Sequence, residues 1–169
     1  MTTAAVVLTE QRILDAAEDV LRRFGPARAT VVDVAKALGV SHGSVYRHFS
    51  TTVALRDAVA QRWLDRLAEP LDPARDTDGP AAERLLRWVE RLAAIKQGMA
   101  LSDPELFATF SQLTAEAREV VAAHVDHLAA ALTEIIADGV SSGEFAVEDP
   151  AAGRRGTSWT RNSARDEAA

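Results

Sequence analysis

One segment constrains this chain more than any other: residues 31–50, VVDVAKALGVSHGSVYRHFS. Two helices that cross at close range need a small residue at their contact, and Ala35 supplies it. Four residues later the chain has to turn sharply with positive φ, which Gly39 permits. Val40 and Val45 then plug a second helix onto the first. Ala-x3-Gly-x5-Val is the spacing of a helix-turn-helix, whose second helix enters a DNA major groove. Many buried helix pairs share that spacing, so the surrounding residues have to carry the rest.

Those surroundings are helical. Apolar residues recur at helical spacing along almost the whole chain and no alternating strand pattern occurs, so the expected fold is all-α. Ile13, Ala17, Val20 or Leu21, and Phe24 form the stripe of a first helix over about 10–24, which Gly25-Pro26 stops. Thr30 caps a second helix, with Asp33 as a short-armed capping box, and Gly39 ends it. Ser41 caps a short third helix reaching His48 or Phe49. A fourth starts near Thr51 or Thr52 and continues to about Glu69, burying Leu55, Val59, Trp63 and Leu67. Residues 70–80 (PLDPARDTDGP) read as a linker. The expected division is a helix-turn-helix domain over 9–69 and a second helical domain over 78–150.

In that second domain, residues 81–99 carry Leu85, Leu86, Val89, Leu92 and Ile95 at helical spacing. Ser102-Asp103-Pro104-Glu105 is a helix start with proline in the first turn. Thr114 caps the longest helix, to about Ser141, with Val121, Val125, Leu128, Leu132, Ile135 or Ile136, and Val140 along it. Gly143 ends it. Beyond Gly153 the one large apolar residue is Trp159. Residues 151–169 are therefore expected to form a disordered tail, with the look of a truncated or frame-shifted end.

The formal charge of −6 looks wrong for a nucleic-acid binder until it is divided. Residues 1–68 hold nine Lys/Arg against seven Asp/Glu, and the remainder ten against eighteen. No acid occurs between Val34 and Arg56, a stretch that contains Lys36, His42, Arg47, His48 and Arg56. A phosphate backbone attracts such a surface locally. There is no cysteine, which excludes disulfides and thiolate chemistry. Residues 1–8 lack the basic start of a secretory signal, and no apolar stretch reads as bilayer-spanning. A cytoplasmic location with no membrane partner is expected.

The first helix ending Phe24-Gly25, the Thr30 cap, Val34-Ala35, Gly39-Val40-Ser41 and Gly43-Ser44-Val45-Tyr46-Arg47-His48-Phe49 together closely resemble the TetR family. The resemblance is strong over residues 9–67 and looser through Gly143-Glu144-Phe145. It implies a DNA-binding domain of four helices, followed by a ligand-binding and dimerisation domain. Double-stranded DNA, a small-molecule effector and a second copy are the implied partners. Ser41, His42, Gly43 and Ser44 occupy the exposed first turn of the recognition helix, where side chains meet base edges. The resemblance gives Ser44, Tyr46 and His48 largely to phosphates, which orient without reading sequence. Thr30 caps a helix whose N-terminus should also face a phosphate. Arg47 reaches either a phosphate or a guanine, or lies solvated. Phe49 belongs to the core. The family usually has a lysine where this chain has Thr52, so one phosphate-neutralising charge per subunit is missing.

Trp63, Trp88, Phe107, Phe110 and His124 are the candidates for lining an effector cavity, although aromatic residues also make up plain core. His124 and His127, three apart, lack a third ligand, so no metal is expected. No nucleophile–base pair, Gly-rich phosphate loop or paired-carboxylate motif stands out, so neither a cofactor nor catalysis is expected. The leading reading is an effector-responsive DNA-binding repressor. Two others are a small helical enzyme using the helix pair as scaffold, and a defective relative that pairs with an intact one. In the family two apolar helices follow this point and pair across the dimer. Their absence predicts a monomer or weak dimer.

Overall fold

The computed structural model describes residues 7–71 and 78–146, and no strand occurs among them. Among the described residues seven helices follow in order: α1 (Glu10–Phe24), α2 (Val31–Leu38), α3 (His42–Tyr46), α4 (Thr52–Ala68), α5 (Ala81–Ser102), α6 (Pro104–Glu116) and α7 (Arg118–Ser141). Tight turns at Pro26–Arg28 and Glu69–Leu71 follow α1 and α4. The expectation of a disordered end falls on residues outside the described ones.

Side-chain caps set most of the starts. Thr9, Thr30, Ser41 and Thr51 each accept a hydrogen bond from the backbone N–H three residues on, satisfying donors that have no partner within the helix. Gly39 sits in the left-handed region at φ 67°, where its N–H and that of Val40 fold back onto the carbonyls of Lys36 and Ala35. Three starts or stops differ from the sequence reading. Asp103, not Ser102, caps α6 by accepting from the Leu106 N–H. Thr114 caps nothing: it lies inside α6 and donates to the carbonyls of Phe110 and Ser111. The chain breaks instead at Ala117, so α7 opens at Arg118 without a side-chain cap. α3 ends at Tyr46, short of His48, and its last turn closes through hydrogen bonds from His48 and Phe49 to the Val45 carbonyl.

The main core is built from Ile13, Ala17 and Leu21 of α1, Val31 and Val34 of α2, Val45 of α3, and Leu55 and Val59 of α4. Phe110 and Leu113 of α6, with Ala117, complete it, so the core runs across the 70–80 segment. Phe24, expected on the buried stripe of α1, is 64% exposed because Gly25 turns the chain away there. A smaller cluster joins Leu71, Ala81, Trp88, Ala131 and Ile135.

α1 is also fastened to α4 by charge. Glu18, buried, takes a two-pronged contact from Arg66 at 3.1 and 3.0 Å and a third from Arg62 at 3.4 Å. Arg62 reaches Asp15 as well, at 2.6 Å. At the other end, Gly143 (φ 79°) ends α7, and the Glu144 carboxylate turns back to accept the Ala82 N–H at 3.2 Å. Contrary to the sequence reading, α7 is long and apolar enough to cross a bilayer by length and composition. Here it packs on α4, α5 and α6, burying Ala131, Ile135 and Gly139.

Candidate nucleic-acid interface

α2 and α3 meet at the Gly39 turn, and the hydrogen-bonded caps at Thr30 and Ser41 fix where each helix begins. The Ser41 hydroxyl accepts the Ser44 N–H at 3.2 Å and lies 2.8 Å from the Ser44 hydroxyl. Two exposed oxygens therefore stand together at the opening of α3. His42 and Tyr46, one turn apart, meet edge to face at a centroid distance of 6.3 Å. Behind them Val45 is fully buried and Phe49 nearly so, which anchors the short helix from its inner side.

The outer side is open. Ser41, His42, Gly43, Tyr46 and Arg47 are exposed, and Ser44 and His48 are half-buried. A methyl group added at Gly43 would have no neighbour closer than 3.9 Å, so the glycine leaves the backbone of α3 accessible. Lys36 and Arg47 make no ion pair among the described residues. Arg22, Arg28, Arg62 and Arg66, by contrast, are spent on Asp19, Asp33, Asp15 and Glu18.

One residue behaves differently from its sequence reading. Arg56 does not join the open basic surface. Its guanidinium donates to the carbonyls of Pro26, Ala27 and Ala29 at 2.8–3.3 Å and lies 3.7 Å from Glu116, clamping α4 to the turn after α1. Thr52 is half-buried, and its hydroxyl accepts the Val31 N–H at 3.4 Å. The start of α4 is thus stitched to the start of α2, and only the Thr52 hydroxyl proton is left for an outside acceptor. Thr30 is similarly committed: it accepts the Asp33 N–H at 3.1 Å and donates to the Asp33 carboxylate at 2.7 Å.

A second feature lies by the end of α4. Trp63, Leu64 and Leu67 of α4, Lys96 of α5, Phe107, Ser111 and Thr114 of α6, and Val121, His124, Val125 and Leu128 of α7 line a half-open cavity of about 290 Å³. Three of the five expected lining residues, Trp63, Phe107 and His124, are there. Phe110 stacks on Trp63 at 5.1 Å but stands behind it in the core. Trp88 is in the other cluster, packed with Ala131 and Ile135. Among the lining residues not expected from sequence is one charge, Lys96, on an exposed turn of α5. Burial holds the His124 imidazole below the usual histidine range, helped by the positive charge of His127 and Lys96 and opposed by Asp65. No group of three metal-ligating side chains occurs among the described residues.

Comparisons with known proteins follow the same two-part layout. Residues 13–59 match the family model of bacterial regulatory proteins, tetR family. Residues 81–156 match the model of the tetracyclin repressor-like C-terminal domain. An uncharacterized HTH-type transcriptional regulator of Mycobacterium tuberculosis is 34% identical over 96 residues, which is 56% of this chain and 48% of that one. The chain thus spans about half the length of that relative. PfmR of Thermus thermophilus is 27% identical, with a TM-score of 0.56 over 89% of this chain and 80% of its own. FadR of Bacillus subtilis, solved in complex with stearoyl-CoA, shares the fold at a TM-score of 0.64 and 22% identity, over 87% and 80% of the two chains. With both halves matched by tetR-type family models and the fold shared over 89% of its length, this chain belongs to the TetR family.

Proposed function

We propose that this protein is a DNA-binding transcriptional regulator, a repressor whose hold on double-stranded DNA responds to a small-molecule effector. The observation that carries the reading is the outer face of α2 and α3. It is free of acids from Val34 to Arg56, has Lys36 and Arg47 unpaired among the described residues, and presents Ser41, His42 and Tyr46 to solvent. On this reading Ser41, His42 and Gly43 meet base edges, with Ser44 beside them. Tyr46, His48 and Arg47 hold the phosphate backbone, and the Thr30-capped start of α2 faces a further phosphate together with Thr52.

α4 supplies the coupling. Its first residue bonds the start of α2, and its other end forms a wall of the cavity through Trp63, Leu64 and Leu67. A ligand that favours one setting of α4 over another biases the orientation of α2 and α3 by its differential affinity for the two. The fold shared with FadR, a protein solved with stearoyl-CoA, is consistent with a small-molecule effector. On this reading the protein works on DNA in the cytoplasm.

Selection of genomic duplexes followed by sequencing would identify the operator. Tyr46→Phe should then weaken binding to all duplexes alike, because it removes a phosphate donor, whereas changes at Ser41 or His42 should alter sequence preference. A Tyr46→Phe variant with full affinity and altered preference would overturn these roles.

A further inference from the structure

We propose that the cavity between α4, α5, α6 and α7 takes a small amphipathic anion, its apolar body against Trp63 and Phe107 and its carboxylate between Lys96 and His124. This rests on the reading of that cavity as the effector site and adds the chemical class of the effector.

The cavity has an apolar side and a polar side. Trp63, Leu67, Phe107 and Leu128 offer flat and branched carbon surface, which selects for burial of a hydrocarbon group. Of the two hydroxyls, Ser111 donates to the Phe107 carbonyl at 2.8 Å and Thr114 to the carbonyls of Phe110 and Ser111. Their protons are therefore spent on the α6 backbone. The charged or titratable donors left for a ligand are the Lys96 ammonium, which has no ion pair among the described residues, and the His124 ring. No carboxylate is among the lining side chains. An ammonium and a protonatable imidazole in apolar walls, with no carboxylate in the lining, match an anion and oppose a cation.

His124 gives the site a proton linkage. Of the charged groups around it, Lys96 comes from α5 and His127 from α7, while Asp65 comes from α4. Near the same ring α4 also presents Arg62 and Arg66 and the turn after it brings Glu69, while α6 brings no charge to the cavity. In the free protein the ring holds its proton weakly. A carboxylate beside it reverses that balance, so binding takes up a proton; it tightens as pH falls through the value His124 has in the complex and levels off below the lower value of the free protein.

The probes are three molecules of one shape: 4-phenylbutyrate, 4-phenylbutanol and 4-phenylbutylamine, titrated calorimetrically into the intact chain. The carboxylate should bind about tenfold more tightly than the alcohol, and the amine most weakly. Lys96→Met, an exposed and nearly volume-conserving change, should bring carboxylate and alcohol to within about twofold while leaving the alcohol unchanged. Between about pH 8 and about pH 6 the carboxylate should tighten in the wild type and much less in His124→Gln. An alcohol or amine that binds best, a preference that survives Lys96→Met, or a pH-independent carboxylate affinity overturns the anionic assignment and leaves the cavity as an effector site. If the wild type binds none of the three at millimolar concentration, the effector-site reading itself falls, and this inference with it.

Discussion

The two halves of this molecule are packed to different standards. In the first, α1 buries five of its 15 residues, and the core shared by α1–α4 includes Ile13, Val31, Val34, Val45, Leu55 and Val59 with no exposed surface. In the second, α5 buries two of 22 residues and α7 three of 24, while Leu86, Val89 and Val125 are about half exposed. The first half is a solid support for a fixed surface. The second spends its apolar residues on the walls of a cavity and on open helix faces. A surface that reads DNA needs its side chains held in one geometry, whereas a unit that responds to a ligand gains from being incompletely filled.

The largest test of that contrast is in the core. Leu55→Ala should cost about 2–5 kcal/mol of folding stability in urea denaturation. Leu86→Ser, on the open face of α5, should stay within about 0.5 kcal/mol of the wild type. A large loss at Leu86 would mean that the face is covered in solution and that the contrast is false. Gly139 sharpens the picture, because it is one place where the second half is tightly packed. An added Cβ there would overlap the Phe145 ring and stand 2.9 Å from the Ala81 Cβ, so Gly139→Ala should cost about 1–3 kcal/mol by the same assay.

Smaller effects separate two glycines of the first half. Gly39→Ala forces a side chain into the left-handed region and should cost about 1–2 kcal/mol. Gly43→Ala meets nothing within the protein and should leave stability unchanged to about 0.5 kcal/mol, yet lower DNA affinity if the α3 backbone approaches the duplex. The smallest effect is electrostatic. The backbone N–H groups of Ala81 and Ala82 hold the Glu144 carboxyl below its ordinary range, with Ser142 and Arg84 assisting. Its stabilisation is therefore present above the ordinary carboxylate value and is lost as pH falls through the lower folded value. Glu144→Gln should flatten the acid limb of the stability–pH curve slightly; an unchanged limb would mean that the carboxylate does not cap α5 in solution.

Features that depend on near neighbours could be read from the residues. Ala35, Gly39 and Val45, and the caps at Thr30 and Ser41, act over three to six positions, so spacing alone placed α2 and α3. The errors lie where partners are distant or local signals compete. Arg56 counted as surface charge because the carbonyls it clamps, at 26–29, lie nearly thirty residues away. Thr114 looked like a cap because hydroxyls favour helix starts, but inside α6 it bonds backward to Phe110 instead. Trp63 and Trp88 are alike in type, and only the packing of α4 against α6 and α7 sends one to the cavity and the other to a separate cluster. The Glu18 clamp was missed as well, although Arg62 and Arg66, four apart on α4, share the helix face that meets it.

The claim that α2 and α3 form the DNA-reading face is tested most directly by salt dependence. Affinity for a selected operator should be measured against salt concentration for the wild type, Arg47→Ala and Arg22→Ala. The two variants lose the same formal charge, but Arg47 is unpaired among the described residues and Arg22 already pairs with Asp19 at 3.0 Å on α1. Arg47→Ala should make the slope shallower by about one unit per subunit, with Arg22→Ala matching the wild type. Equal slopes for Arg47→Ala and the wild type, or an equal loss in both variants, would contradict the assignment of this face to DNA.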